Sequence, residues 1–76
     1  MMNLSMANEN EELKVIQIED GNNSKKDLLA LGICRNALIK VIKNDISSPM
    51  ILNVRGIRVV LGREHAKMII VKEENP

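Results

Sequence analysis

Phenylalanine, tryptophan and tyrosine are absent from this chain of 76 residues. Any core must therefore be built from Ile, Leu, Val, Met and Ala, which supply nearly all of the 45% hydrophobic content. Without aromatic rings there is also no platform on which bases could stack. An excess of one charge is missing too: 11 Lys and Arg against 10 Asp and Glu leave a net charge of +1. That balance gives no electrostatic case for nucleic acid or a membrane surface as partner. Cys34 is the only cysteine, so no internal disulfide can form and a reducing compartment is expected. Apolar runs extend only a few residues, far short of the ~20 that span a bilayer. Residues 1–12 lack both the basic start and the apolar stretch of a secretory signal. The expectation is one small soluble domain, cytoplasmic and not inserted in a membrane.

The informative stretch is residues 24–36, SKKDLLALGICRN. Ser24 is suited to cap a helix, with Asp27 three residues on to complete a capping box. Leu28 and Leu31 are three apart and share a face, with Leu29 displaced about 100° from Leu28. Gly32 can adopt positive φ just past the last turn and stop the helix. Cys34-Arg35-Asn36 then forms a corner, and the pattern becomes strand.

Around this unit the sequence alternates. Residues 13–18 are the first strand, in which Val15 stands out of phase with Ile16 and Ile18, so a bulge or two covered faces are expected. Residues 19–23 are a turn by composition. Residues 37–43 form the second strand, with Ile39 and Val41 on one face. A loop follows in which Pro49 is admissible only where no ladder N–H is needed. Residues 50–54 and 57–61 form a hairpin about Arg55-Gly56, with Met50, Leu52 and Val54 facing the same way as Ile57, Val59 and Leu61. Residues 62–67 are a helical turn and 68–72 the last strand. Residues 1–12 are expected to be a partly ordered segment anchored by Leu4, Met6 and Ala7, residues 13–72 the domain, and 73–76 a polar tail. The fold expected is mainly β: a five-stranded SH3-like barrel with one short capped helix after the first strand and a helical turn before the last.

Catalytic and metal chemistry find little support. There is no Ser/His/Asp set, no pair of carboxylates in an apolar setting and no phosphate-binding glycine loop. Cys34 and His65 lie on different elements, whereas a transition-metal site needs three or four convergent ligands. Cys34 reads as a small corner residue and His65 as part of a helical turn. Glu9, Glu11 and Glu12 read as a solvated acidic segment rather than a cation site. No enzyme activity, metal or cofactor is expected. Exposure arguments leave protein recognition: Leu29, Ile51 and Val60 lie off the main apolar faces, among Lys25, Lys26, Lys40, Lys43, Arg55, Arg58 and Arg63.

The order of these parts resembles the FeoA family of bacterial ferrous iron uptake, and the related SH3-like domain of DtxR-type repressors. Leu4, Ala7, Val15 and Ile18 match its opening, and Leu28, Leu31, Gly32 and Ile33 match its Leu-x-x-Leu-Gly-Ile/Met helix stop. Ile39, Val41, Pro49, Val54, Gly56, Leu61, Ala66, Ile69 and Val71 match the remainder. Asn36 follows Arg35 where the family usually has Pro-Gly, and Asn10 stands at a usual glycine. Ser47-Ser48 replaces the common Gly-Asp. Asn tolerates positive φ, so these turns can be kept, although the corner loses the fixed φ of proline.

The resemblance implies a cytosolic, non-catalytic adaptor of FeoB, the membrane ferrous iron permease with a GTP-binding domain. The adaptor would modulate the permease's assembly or GTP-dependent activity without carrying iron. The docking candidates are Lys25, Lys26, Leu29, Ile51, Arg55 and Arg58. The alternative is a stand-alone regulatory module of metal-responsive transcription control. An exposed Met50 and the polar N-terminal arm would permit weak self-association by exchange.

Overall fold

The computed structural model describes residues 1–19 and 24–74. Residues 20–23 of the expected turn and the capping bond expected from the Ser24 side chain lie outside the described residues. The elements are β1 (Met2–Asn3), a 3-10 turn (Leu4–Met6), β2 (Glu12–Ile18), α1 (Ser24–Ala30), β3 (Leu38–Lys43), β4 (Met50–Val54), β5 (Ile57–Leu61), α2 (Arg63–Met68) and β6 (Ile69–Glu73). All pairings are antiparallel, and the six strands run in the order β1-β6-β2-β3-β4-β5.

The sequence suggests five strands. The additional one, Met2–Asn3 against Ile70 and Val71, is too short to carry an alternating pattern. The sheet is also less closed than a strict barrel. Its ends are β1 and β5, and these do not pair with each other among the described residues.

The core is aliphatic throughout, and no polar or charged residue is buried among the described residues. Strands β2 to β6 contribute alternate residues: Leu13 and Val15 from β2, Ile39 and Val41 from β3, Met50, Leu52 and Val54 from β4, Val59 and Leu61 from β5, Ile69 and Val71 from β6. Val15 pairs with Val71 and Gln17 with Ile70, so Ile16 is the extra residue of a β-bulge. That bulge accounts for the broken alternation of β2. A second irregularity falls between Val41 and Lys43 on β3.

At the β4–β5 hairpin, Arg55 (φ 56°) and Gly56 (φ 82°) are both left-handed, the signature of a type I′ turn. The Asn53 side chain accepts a hydrogen bond from the Gly56 N–H at 2.9 Å. Four expectations about exposure need correction. Met50 is fully buried, so it offers no exchange surface. Ile57 lies opposite Val54 yet is 66% exposed, because it ends the hairpin at the sheet margin. Met6 is exposed, and the N-terminal segment is anchored in the core by Leu4 and Ala7, with Met2 packed against it. Leu31 is exposed as well, because the chain turns away from the core before reaching it.

That turn is the helix stop expected at Gly32. Gly32 has φ 84°, its N–H donates to the Leu29 carbonyl (2.9 Å), and the Ile33 N–H donates to the Leu28 carbonyl (2.9 Å). The two bonds form a Schellman motif, and Ile33, rather than Leu31, joins Leu28 in the core. The corner follows at once. Ala37 N–H donates to the Cys34 carbonyl (3.0 Å) with Asn36 at φ 73°, a type II turn with Arg35 and Asn36 in the middle. Asn36 N–H and the Ala37 carbonyl bond Val15 at 2.8 and 2.9 Å, which ties the corner to β2. Asn10 likewise adopts φ 70°.

Arg35 occupies the turn position that favours proline, and its N–H makes no hydrogen bond among the described residues. Arg35→Pro is therefore expected to add about 0.4–1 kcal/mol by restricting the unfolded chain. Differential scanning calorimetry should show the thermal midpoint rising by roughly 2–8 °C; a fall would contradict the type II assignment.

Candidate functional site

Among the described residues, helix α1 is held by one buried side chain, Leu28, and presents Lys25, Lys26, Asp27, Leu29 and Ala30 to solvent. Because the corner is bonded back to Val15, the exposed side of α1 and the end of β2 stand on either side of a cleft of about 530 Å³. Its apolar part is Ile18, Leu29, Ile33 and Cys34, and its basic groups are Lys25 and Arg35. Leu29 is 61% exposed although it is a leucine, and it lines the cleft together with those two cations. An aliphatic floor with a basic rim suits an acidic, aliphatic protein segment.

The six docking candidates do not form one surface. Lys25 and Leu29 share this cleft, and Lys26 is exposed on the same helix without lining it. Arg55 lines a second cleft of about 370 Å³ with Leu38, Lys40 and Asn53, where Glu12 and Glu74 mix the charge. Ile51 and Arg58 lie on the outer face of the β4–β5 hairpin, Ile51 opposite Val60 and Arg58 opposite Asn53. Ile18, Ile33 and Arg35 also line the cleft, although the sequence does not mark them for docking. Arg35 could have been found, since a corner that follows a capped helix must bring its middle residue beside that helix.

Arg63 belongs to neither patch. Its guanidinium donates to the carbonyls of Asp45 (3.0 Å), Ser48 (3.1 Å) and Ser5 (3.4 Å). Asn44 Nδ2 donates to the Ser5 and Ala7 carbonyls at 3.0 and 2.7 Å. Together they fasten the N-terminal segment to the β3–β4 loop. Pro49 follows that loop's turn, in which Ser48 N–H donates to the Asp45 carbonyl (3.0 Å), and precedes the ladder of β4. Carbonyl recognition of this kind leaves no mark in a sequence.

The acidic segment is likewise engaged. Glu9 accepts from the Asn44 N–H and Glu11 from the Asn8 N–H, each at 2.9 Å. A hydrogen bond with the Glu73 side chain, then the Asn8 N–H, hold Glu11 below its ordinary value of 4.5. Among the described residues no three His, Cys, Asp or Glu side chains converge as a metal site. Cys34 is half-buried at the corner and His65 half-buried on α2.

The model of the FeoA domain matches residues 2–73 of this chain. The chain belongs to the FeoA family. A curated FeoA relative from Methanocaldococcus jannaschii, named for Fe(2+) transport protein A, is 33% identical over 73 residues, covering 96% of this chain and 88% of the relative. The crystal structure of an iron uptake regulatory protein, FeoA, superposes with a TM-score of 0.86 at 26% identity, covering 96% of both chains. A Stenotrophomonas maltophilia FeoA complexed with zinc, described as a prokaryotic SH3 domain protein, superposes with a TM-score of 0.80 at 21% identity over 95% of this chain and 91% of that one. The FeoA fold is thus SH3-like, and FeoA is not a known enzyme family. No helix among the described residues is long and apolar enough to cross a membrane.

Proposed function

We propose that this chain is a non-catalytic cytosolic adaptor of ferrous iron transport that docks on the FeoB permease and modulates its assembly or GTP-dependent activity. Membership of the FeoA family and the name of the curated relative support the iron-transport setting. The observation that carries docking is the cleft beside α1, which an exposed leucine lines together with Lys25 and Arg35. A few aliphatic anchors inside a polar rim are the usual source of binding energy in small interfaces. Of the six candidates, Lys25 and Leu29 belong to this site, and Lys26 adds positive charge on the same helix. Iron is the cargo of the permease in this reading and has no resident site on the adaptor.

Leu29→Asp tests the assignment, because an exposed helix position tolerates the change. Capture of the variant by the cytosolic part of FeoB is expected to weaken about tenfold or more, as for an anchor residue. Wild-type affinity in a variant shown to be folded would rule out the cleft.

A further inference from the structure

Strand β5 ends the sheet: it pairs with β4 on one side and with nothing on the other among the described residues. The type I′ turn makes Val54 and Ile57 the hydrogen-bonded closing pair of the hairpin, and bonded and non-bonded pairs alternate from there. Ile57, Val59 and Leu61 therefore direct their N–H and C=O groups to β4, while Arg58 and Val60 direct theirs over the open edge. No hydrogen bond reaches those outward groups among the described residues. The edge lacks the devices that usually blunt one. It has no proline and no bulge, Arg58 is its one charge, and Ile57 and Val60 are 66% and 64% exposed. The opposite end of the sheet, β1, is only two residues long.

We propose that this edge pairs with β5 of a second copy of the chain, antiparallel about Val59. The register follows from what each alternative would place together. Centring on Arg58 sets two guanidinium groups directly opposite each other. Centring on Val60 sets Arg58 against Gly62, whose carbonyl already accepts the Ala66 N–H at 3.1 Å. Centring on Val59 sets Arg58 opposite Val60 of the second copy, so every outward N–H and C=O finds a partner. It also lays the arginine stem along a valine and brings exposed Ile57 opposite Leu61. A net charge of +1 offers little repulsion between copies. An edge this short belongs to the transient class of interfaces, under ~1,200 Å², so a reversible dimer forms at high protein concentration.

Sedimentation equilibrium up to roughly 1 mM chain, where interfaces of this weakness are populated, tests the pairing with two variants. Val60→Lys places a cation opposite Arg58 of the second copy, and Val60→Glu places an anion there. Val60 faces solvent in the monomer, so both variants retain the fold. The dimer of Val60→Lys should be about tenfold or more weaker than that of Val60→Glu, because each change acts at two symmetry-related pairs. Amide exchange should slow with concentration at Arg58 and Val60. A wild type that stays monomeric throughout, or equal association of the two variants, overturns the proposal. Protection of those amides only when another protein is added to a monomeric chain would assign the edge to that partner, and would overturn it equally.

Discussion

Leu28→Ala is expected to cost about 2–5 kcal/mol, the range for truncating a fully buried leucine. Leu28 is 1% exposed and is the one α1 side chain in the core among the described residues, so nothing else on the helix can replace its contacts. A domain of this size commands only ~4–11 kcal/mol in total, so the loss is a large part of its stability. The consequence should be local before it is global: α1 loosens, the Gly32 and Ile33 amides exchange faster, and the cleft that depends on Leu29 loses its wall. Urea unfolding measures the first effect and amide exchange the second. Leu29→Ala, one residue away and exposed, should stay within about 0.5 kcal/mol. Equal losses at the two positions would contradict the assignment of faces.

The second large effect is Gly32→Ala, expected to cost about 1–2 kcal/mol. Its φ of 84° is one that side chains with a Cβ resist, and the cost comes from the backbone. Crowding adds little, since the new methyl group would meet Val54 Cγ1 at 3.4 Å, an ordinary contact. Combined with Leu28→Ala the loss should be less than additive, because a helix already undocked no longer needs its stop. Full additivity in urea unfolding would mean that the Schellman bonds and the Leu28 contact act independently.

Much of the fold was legible because local chemistry and tertiary packing agree. Gly32, Asn36 and Gly56 each sit at positive φ, and the hairpin register follows from its two-residue turn. The out-of-phase Val15 marked a real bulge. Other features were illegible for definite physical reasons. A two-residue strand such as Met2–Asn3 has no period to detect, and it forms because β6 offers an edge. Leu31 shares a helical phase with Leu28, but the Schellman turn redirects the chain and gives the core to Ile33. Arg63 looked like surface charge, yet its donors fasten three carbonyls on two segments, the β3–β4 loop and the N-terminal turn. The candidate docking residues could be identified as exposed, but helical and strand periodicity cannot say which exposed residues meet. Folding grouped Lys25 and Leu29 with Arg35, and left Ile51, Arg55 and Arg58 elsewhere.

If this FeoA-family chain docks on the permease, as proposed, the two must bind in solution. Isothermal titration of the folded chain into the cytosolic GTP-binding domain of FeoB, and into the full permease in detergent, tests it most directly. Saturable heat with at least one of them, diminished by Leu29→Asp, is the expected result. No heat with either, from a chain shown to be folded, would contradict it.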